Sequence, residues 1–221
     1  MKKLLISVML VLPAIASAAD LKPYVEGQIG YMSVDSINSK AMSGEEDGLI
    51  FTNAKIKLDY DNEFSYGAEV GLKDVLPNVR LGASITTVKL DFDSAKLSGT
   101  ISDGSTTLSG SARVTSADLA SVGADLDTRV KLYMLNAYYD FKNSTSFTPF
   151  VGVGVGTADI KGANDNEMAL SASLGARYAI NEHVYLGAKA SYININGPDV
   201  EGIKCKDVDL YTANIMLGYE F

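Results

Sequence analysis

The amino-acid sequence predicts an all-β fold, a transmembrane antiparallel up-and-down β-barrel of about eight strands with long outer loops. Three observations indicate this fold. Polar and apolar residues alternate along several long segments, and the connections between those segments alternate between short and long. After the N-terminal region, no apolar run reaches the ~18 residues that indicate a membrane-spanning helix. A soluble β-sandwich also alternates, but the segment lengths and the loop asymmetry favour the barrel.

The amino-acid composition limits the kinds of binding and metal site that the chain can form. The chain has 221 residues, a net charge of −8, one cysteine and one histidine. These counts exclude an internal disulfide framework and sites with several thiolate ligands, and they leave little room for a histidine metal cluster. Twenty glycines and twelve tyrosines are typical of β structure with tight turns. Because nucleic-acid binding needs clustered lysine and arginine, the acidic balance argues against a nucleic-acid partner.

Residues 1–19 have the pattern of a cleavable secretory signal peptide. Lys2 and Lys3 form a positive start, residues 4–15 are mostly apolar, and small residues end the segment at Ala18 and Ala19, either of which fits the cleavage site. The apolar run is shorter than the ~20 residues that a membrane helix needs. We therefore expect export, with residues 20–221 forming one barrel domain.

The first predicted strand illustrates the alternation. Val25, Ile29 and Tyr31 lie on one face, and Glu26 and Gln28 lie on the other. The same period recurs in residues 56–72, 79–92, 133–141, 147–156, 168–180, 184–192 and 211–221. Each segment reaches or approaches the ~9–11 residues of a tilted membrane strand, so the pattern predicts about eight of them.

Two segments depart from simple alternation. Residues 56–72 keep one parity through Asp61 and Asn62, which predicts one long strand rather than a hairpin at that pair. In the next segment the apolar parity shifts to Val88, Leu90 and Phe92. This shift predicts a β-bulge near residues 86–87.

The connections alternate in length. Short turns are predicted at residues 74–78, 142–146 and 181–183, and long segments at residues 35–53, 93–128, 159–167 and 194–209. Outer-membrane barrels have short periplasmic turns and long outer loops, so the long segments are predicted to lie outside. The longest loop shows no helical period, and we expect it to be irregular and mobile.

One face of each predicted strand is apolar or aromatic, and the other carries glycine, serine, threonine and ionisable residues. Only a closed barrel satisfies every backbone N–H and C=O of strands in hydrocarbon, so the apolar face is predicted to contact lipid and the lumen to be polar. Aromatic residues near strand ends fit two interfacial girdles. They are Tyr24, Tyr31, Tyr139, Phe141, Tyr178, Tyr192, Tyr219 and Phe221.

The inward parity also selects a set of charged residues. The set comprises Glu26, Glu69, Lys73, Arg80, Asp140, Arg177, Lys189 and Glu220. An eight-stranded barrel is just wide enough for side chains to fill, and charges buried there must be paired. We expect a network near the periplasmic end that closes the lumen and fixes strand register. The alternative is a gated, narrow path lined by the same groups.

Other candidate groups have simpler explanations, and no catalytic, cofactor or metal site is predicted. The glycines of residues 152–156 lack the helix and spacing of a phosphate-binding loop and predict small residues on the inner wall. His183 lies in a short turn. Cys205 is predicted to be an incidental loop thiol, the alternative being a reactive thiol whose pKa the flanking lysines lower. The acidic loop residues lack EF-hand spacing and predict a solvated rim.

Three segments carry a family resemblance. Residues 211–221, with Ile215, Leu217, Tyr219 and Phe221 at alternating positions, resemble the C-terminal signature of outer-membrane barrels. In those families the signature is read by the barrel-assembly machinery. Residues 134–141 and 147–156 resemble the opacity-protein and surface-antigen family of small porin-like barrels.

The resemblance implies an outer-membrane location, with lipid, lipopolysaccharide and the assembly machinery as partners and a host or cell-surface ligand on the outer loops. Lys40, Lys96, Lys204 and Lys206 are placed to contact lipopolysaccharide phosphates. Two functions stay open, a closed barrel for surface interaction, adhesion and envelope structure, and a small porin for ions or solutes. Some barrels of similar size modify lipid A, but His183 in a short periplasmic turn argues against that activity.

Overall fold

The computed structural model describes residues 21–46, 49–121, 127–163, 165–200 and 203–221. The predicted signal peptide, residues 1–19, lies outside the described residues. In chain order the elements are β1 (Lys22–Val34), β2 (Ile37–Asn38), β3 (Met42–Glu46), β4 (Leu49–Tyr60), β5 (Glu63–Leu76), β6 (Val79–Leu90), β7 (Phe92–Ser102), β8 (Thr107–Thr115), α1 (Ser116–Ser121), β9 (Thr128–Asp140), β10 (Phe147–Ile160), β11 (Glu167–Ala179), β12 (Val184–Ile195), β13 (Asp199–Val200), β14 (Ile203–Lys204) and β15 (Val208–Glu220).

Eight of these strands close a barrel in the order β1-β5-β6-β9-β10-β11-β12-β15. Every neighbouring pair is antiparallel, and the last strand returns to the first through pairs such as Ile29 with Ile215. Closure leaves no free edge, so the backbone of each barrel strand is paired on both sides. The predicted up-and-down barrel is confirmed. Within the described residues, no helix is long and apolar enough to cross a membrane.

Short and long connections lie at opposite ends of the barrel, as the sequence predicts. Residues 77–78, 141–146 and 180–183 connect strands at one end, called here the short-turn end. Asn78 adopts a positive φ of 67°, a left-handed conformation that asparagine tolerates better than most residues, and this makes the tight turn between β5 and β6 possible. The other end, called the long-loop end, carries all the remaining elements.

The barrel wall inverts the usual distribution of polar and apolar side chains. Outward residues such as Leu135 and Val153 are each 65% exposed, whereas the inward Glu69 is 1% exposed. A surface of this kind is stable only when hydrocarbon surrounds it. The alternation that predicted the two faces is therefore a membrane alternation, with the apolar residues outside.

The predicted single strand over residues 56–72 is wrong, because β4 ends at Tyr60 and β5 begins at Glu63. Asp61 and Asn62 form no hairpin tip either. Asp61 N donates to Asp91 O (3.0 Å), and this bond joins the break after β4 to the break after β6. The two long segments thus leave the barrel together, with β4 pairing β7 above the break and β5 pairing β6 below it.

The β-bulge predicted near residues 86–87 is also absent from the structure. The β5–β6 register passes without a shift from Gly67–Thr86 to Ser65–Val88. Val88 and Leu90 therefore keep the inward parity, and each is 1% exposed. The apolar shift in the sequence marks a change in the lining of the lumen and not a change of register.

The described part of the longest loop contains more regular secondary structure than predicted. Its first part forms the β7–β8 hairpin, and the short helix α1 follows directly. At the start of α1, Thr115 N donates to Asp118 Oδ2 (2.9 Å) and Asp118 N donates to Thr115 Oγ1 (3.4 Å), a reciprocal cap. The many small polar residues of this hairpin hide the β period, which is why the sequence pattern missed it.

Candidate functional site

The predicted luminal charges meet near the short-turn end. Lys73 Nζ lies 2.5 Å from Glu220 Oε2, and Arg177 Nη1 lies 3.0 Å from Glu220 Oε1. The other terminal nitrogen of Arg177 donates to Asp140 Oδ2 at 2.6 Å. Four side chains from β5, β9, β11 and β15 thus form one chain of ion pairs across the mouth of the barrel.

Arg80 extends this chain into the lumen. Its guanidinium nitrogens lie 3.5 Å from Asp140 and 3.7 Å from Glu69, and the side chains of all three residues are 0–1% exposed. The guanidinium carbon also lies 4.2 Å from the centroid of the Tyr138 ring and 5.2 Å from that of Phe150. A planar, weakly hydrated cation suits such an enclosure of rings and carboxylates better than an ammonium does.

Glu69 is the most heavily bonded acid of the lumen. Its carboxylate accepts hydrogen bonds from Tyr24 Oη (2.5 Å), Tyr138 Oη (2.7 Å) and Asn136 Nδ2 (2.9 Å). With Arg80 beside it, this carboxylate is satisfied on both oxygens, as a buried charge requires. The arrangement ties β1, β5, β6 and β9 together through one side chain.

The two remaining predicted charges form a second group. Lys189 Nζ lies 4.0 Å from Glu26 Oε1, and Tyr185 Oη donates to Glu26 Oε2 at 2.8 Å. The backbone of Lys189 lies further from the short-turn end than the backbones of the other predicted residues. Its long side chain extends towards that end and so reaches Glu26. The structure therefore brings all eight predicted residues into two adjoining groups with four acids and four bases.

The aromatic partners of this network were missed by the sequence reasoning. Tyr24 was predicted to lie in a membrane girdle, which is wrong, because it points inward and is 1% exposed. Tyr24 has the same strand parity as Glu26, and this parity predicts an inward side chain. Tyr138, Phe150 and Tyr185 likewise share the parity of inward residues on their strands.

Glycines on the inner wall make room for these rings. A methyl group added at Gly218 would overlap the Tyr185 ring, and one added at Gly152 would overlap the Tyr138 ring. The backbone of a neighbouring strand thus serves as the contact surface for each ring. This is the physical reason for small residues at the positions first compared with a phosphate-binding loop.

The lumen has a second, apolar layer at the long-loop end. It is formed by Met32, Val88, Leu90, Val130, Leu132, Met134, Ala158, Ile160, Ala169, Ile193, Ile195, Val208 and Leu210. Between this layer and the charges lies a cavity of about 40 Å³, lined by polar groups such as Gln28, Thr86 and Asn214. The prediction of a polar lumen is therefore wrong for its outer half.

Five strands at the long-loop end form a separate sheet, called here the loop sheet, with β2, β4, β7 and β8 in order and β3 on β4. Two cross-strand rows place apolar residues on one of its faces. Ile56, Leu97 and Ala112 form one row, and Phe51, Ile101 and Leu108 form the other. The opposite face carries Lys57, Lys96 and Arg113 as a matching polar row.

The apolar face of the loop sheet is open. Leu97 and Ile101 are each 52% exposed and Leu108 is 71% exposed. Together with Phe51 and Ala54 they line a groove of about 480 Å³. Exposed contiguous apolar surface outside a membrane is a feature of interaction sites.

The outer loops also bind one another. Lys40 N donates to Lys204 O (2.7 Å) and Lys206 N donates to Asn38 O (2.8 Å), so the loop after β1 pairs with the loop before β15. Cys205 lies inside this contact and is 6% exposed. Burial, followed by the nearby Asp199 carboxylate, raises the pKa of the Cys205 thiol, which is the opposite of the lowering expected from the flanking lysines.

At the short-turn end, His183 packs against the last strand. Its ring stacks on Tyr219 with centroids 5.5 Å apart, and Nδ1 lies 3.0 Å from Glu220 O. The alternating residues of the C-terminal signature all face outward and are exposed. These are Ile215, Leu217, Tyr219 and Phe221.

A closed eight-stranded wall with an apolar exterior and a filled interior defines an integral β-barrel protein of the outer membrane. The chain belongs to the outer membrane protein beta-barrel domain family, whose model matches residues 4–221. The resemblance to small outer-membrane barrels and the outer-membrane location are confirmed. The short-turn end is thus periplasmic, and the loop sheet lies outside the cell.

Three known proteins are similar to this chain to different degrees. Outer membrane protein PagN of Salmonella typhimurium is 34% identical over 93 residues, which cover 35% of this chain and 39% of that protein. Neisserial surface protein A has the same fold, with a TM-score of 0.56, 16% identity and coverage of 90% of this chain and 97% of that structure. The outer membrane protease OmpT of Escherichia coli, with a TM-score of 0.46, 11% identity and coverage of 90% of this chain and 97% of that structure, is too distant to support a functional argument.

Proposed function

We propose that this protein is a surface-interaction barrel, which uses the apolar face of the loop sheet to attach the cell to molecules on other surfaces. The observation that carries the proposal is the exposure of Leu97, Ile101 and Leu108 on a sheet that lies outside the membrane. Such a face is costly in water, at about 25 cal/mol for each Å² of apolar surface, and a bound partner removes that cost.

The position of the loop sheet along the chain supports this role. Lys89 and Asp91 are exposed and charged where β6 leaves the barrel, which marks the upper limit of the hydrocarbon. Leu97 and Ile101 follow on β7, beyond those charges. Membrane lipid tails therefore do not cover them, and they are free to meet a partner.

Attachment assays test the proposal directly. Three proteins are displayed at equal surface density on a non-adherent Gram-negative strain. They are the native protein, the apolar-face variant Leu97→Ser/Ile101→Ser and the polar-face control Ser98→Ala/Thr100→Ala. Adherence to cultured epithelial cells and clumping between bacteria are counted. We expect the apolar-face variant to lose most of the attachment and the control to keep it. Equal attachment by all three proteins, or none above the empty strain, would refute the role.

For the lumen, the proposal is a closed barrel and not a porin. The chain of ion pairs from Lys73 to Glu69 and the apolar layer around Leu132 and Leu210 support closure, since neither layer offers a hydrated path. The polar cavity of about 40 Å³ between them favours the porin alternative. Liposome swelling and planar-bilayer recordings separate the two functions. Stable openings of the native protein that change with Arg80→Ala or Arg177→Ala would establish the porin.

A non-catalytic role follows from the same proposal. The imidazole of His183 is engaged with Tyr219 and the Glu220 carbonyl at the periplasmic end, away from the loop sheet.

The outward Leu217 and Phe221 are proposed to be read by the barrel-assembly machinery during insertion. Substituting both with serine is expected to reduce the folded amount in cells but not refolding of the purified chain in detergent.

A further inference from the structure

Four cationic side chains lie on the outside of the barrel wall near its outer rim. Lys89 on β6 is the cross-strand partner of Arg129 on β9. Lys161, the residue directly after β10, continues this row, because its backbone N donates to Arg129 O at 2.9 Å. Lys131 lies one row below, opposite Asp159. Lys89, Arg129 and Lys131 have outward parity on their strands, and Lys161 is exposed.

Acidic residues engage part of this cluster. Lys89 Nζ lies 2.8 Å from Asp91 and 2.9 Å from Asp127, and Lys131 Nζ lies 4.0 Å from Asp159. Arg129 and Lys161 are exposed and, among the described residues, neither has a carboxylate partner. The row therefore presents two free cations to an outside ligand.

The cations are confined to one sector of the barrel. At the long-loop ends of the other barrel strands the outward residues are uncharged or acidic. They are Ser33 on β1, Phe64 on β5, Met168 on β11, Asn194 on β12 and Asp209 on β15. In a chain of net charge −8, two exposed cations side by side, with no carboxylate partner among the described residues, point to an anionic ligand.

A lipid-facing groove of about 670 Å³ lies below the row on the same strands. The small residues Ala83 and Ala137 line it together with larger ones, which are Leu72, Leu81, Leu135 and Val153. Small residues among larger ones leave space for a hydrocarbon chain.

The groove and the cations have a fixed separation. Ala83, Leu135 and Val155 are cross-strand partners within the groove. Each is six residues along the chain from Lys89, Arg129 and Lys161 respectively, and only Lys161 lies just beyond the end of its strand. Six residues of strand span roughly 20 Å, or roughly 15 Å of height at the usual tilt. This is about half of a ~30 Å hydrocarbon core, which is the reach of one lipid leaflet.

We propose that this wall binds one phosphorylated lipid of the outer leaflet, with its phosphates on Arg129 and Lys161 and an acyl chain in the groove. The site is separate from the loop sheet and does not depend on the surface-interaction role. It also differs from the loop lysines, such as Lys204 and Lys206, that the sequence placed against lipopolysaccharide. The charge of the row selects the headgroup, and the groove selects a lipid over a soluble phosphate.

Lipid binding to the purified barrel tests the headgroup contact. The probe is bisphosphorylated lipid A, titrated into detergent micelles and counted per barrel by native mass spectrometry. Arg129→Ser/Lys161→Ser should weaken binding about tenfold or more, as expected when charge-assisted hydrogen bonds are lost. Lys204→Ser/Lys206→Ser removes the same charge from an outer loop and should bind within about twofold of the native protein.

Two further arms test the lipid part. Ala137→Phe fills the groove and should weaken binding severalfold, whereas Ala190→Phe, at an exposed lipid-facing position on β12, should not. Excess inorganic phosphate should fail to displace the lipid. The proposal is overturned if dephosphorylated lipid A binds the native barrel equally well, if Arg129→Ser/Lys161→Ser binds like the native protein, or if inorganic phosphate displaces the lipid fully. All four substituted cations are exposed, so folding is expected to be unaffected.

Discussion

The guanidinium carbon of Arg80 lies 4.2 Å from the centroid of the Tyr138 ring, and both side chains are almost completely buried. Tyr138 also donates its hydroxyl to Glu69, which lies 3.7 Å from the same guanidinium. The face of the Tyr138 ring thus contacts the Arg80 guanidinium, and the hydroxyl at the edge of the ring contacts the Glu69 carboxylate. This three-part contact joins β5, β6 and β9 at the centre of the luminal network.

Removing the charge at Arg80 leaves Glu69 and Asp140 as buried acids without their shared cation. We expect Arg80→Met to lower the free energy of unfolding by about 3–5 kcal/mol, the range for breaking a buried ion pair. Equilibrium urea unfolding of the refolded barrel in lipid vesicles measures this change.

The matched control is Arg113→Met on the loop sheet. Arg113 pairs with Asp93 at 3.6 Å, but its side chain is 63% exposed, so its loss should cost at most about 1 kcal/mol. Arg80→Lys keeps the charge but loses the planar contact with Tyr138 and should fall between the two. Equal losses for Arg80→Met and Arg113→Met would show that the luminal network does not hold the barrel together.

The contact between Gly218 and Tyr185 gives a second prediction. Gly218→Ala places a methyl group in the space of the Tyr185 ring and should lower the free energy of unfolding by about 1–3 kcal/mol through overpacking. Gly27→Ala is the control, because nothing lies within 4 Å of a Cβ built there. Urea unfolding of both variants decides the point, and a harmless Gly218→Ala would mean that the ring moves freely.

The apolar layer of the lumen is tested on a single strand. Leu210 is 1% exposed inside the barrel, whereas Leu217 on the same strand is 58% exposed on the lipid side. Leu210→Ala creates an internal cavity and should cost about 2–5 kcal/mol, while Leu217→Ala leaves a surface that lipid refills and should cost much less. The two variants are compared by urea unfolding in the same vesicles. Similar costs would indicate that the outer half of the lumen is loosely packed.

The two faces of each strand could be predicted from the sequence because the side-chain period of a strand is two. That period placed Glu26, Arg80 and Arg177 inside, and the structure agrees. It could not show which acid meets which base, since long side chains such as Lys189 cross several rows of the barrel. Distances of this kind depend on strand tilt and register, which no single segment encodes.

The apolar layer was missed for a related reason. Val88 and Leu90 carry the inward parity, but an apolar residue inside a membrane barrel has the same sequence signature as a register shift. Tyr24 was misplaced because an aromatic residue near a strand end fits a girdle and a luminal ring equally well. Only the position of each residue relative to its charged neighbours, such as Glu26, separates the two.

Cys205 provides the last prediction, on the outer loops. The thiol is 6% exposed, and burial and Asp199 raise its pKa. Less thiolate is therefore present at a given pH, so alkylation by iodoacetamide should have its pH midpoint above the ordinary value of about 8.5.

The control protein carries Ser111→Cys in a Cys205→Ser background, which gives an exposed thiol on β8. At pH 8, mass spectrometry should show Cys205 reacting at least about tenfold more slowly than the β8 thiol, since only a buried thiol must wait for the loops to open. Equal rates and equal midpoints would mean that the contact between the loop after β1 and the loop before β15 does not persist in solution.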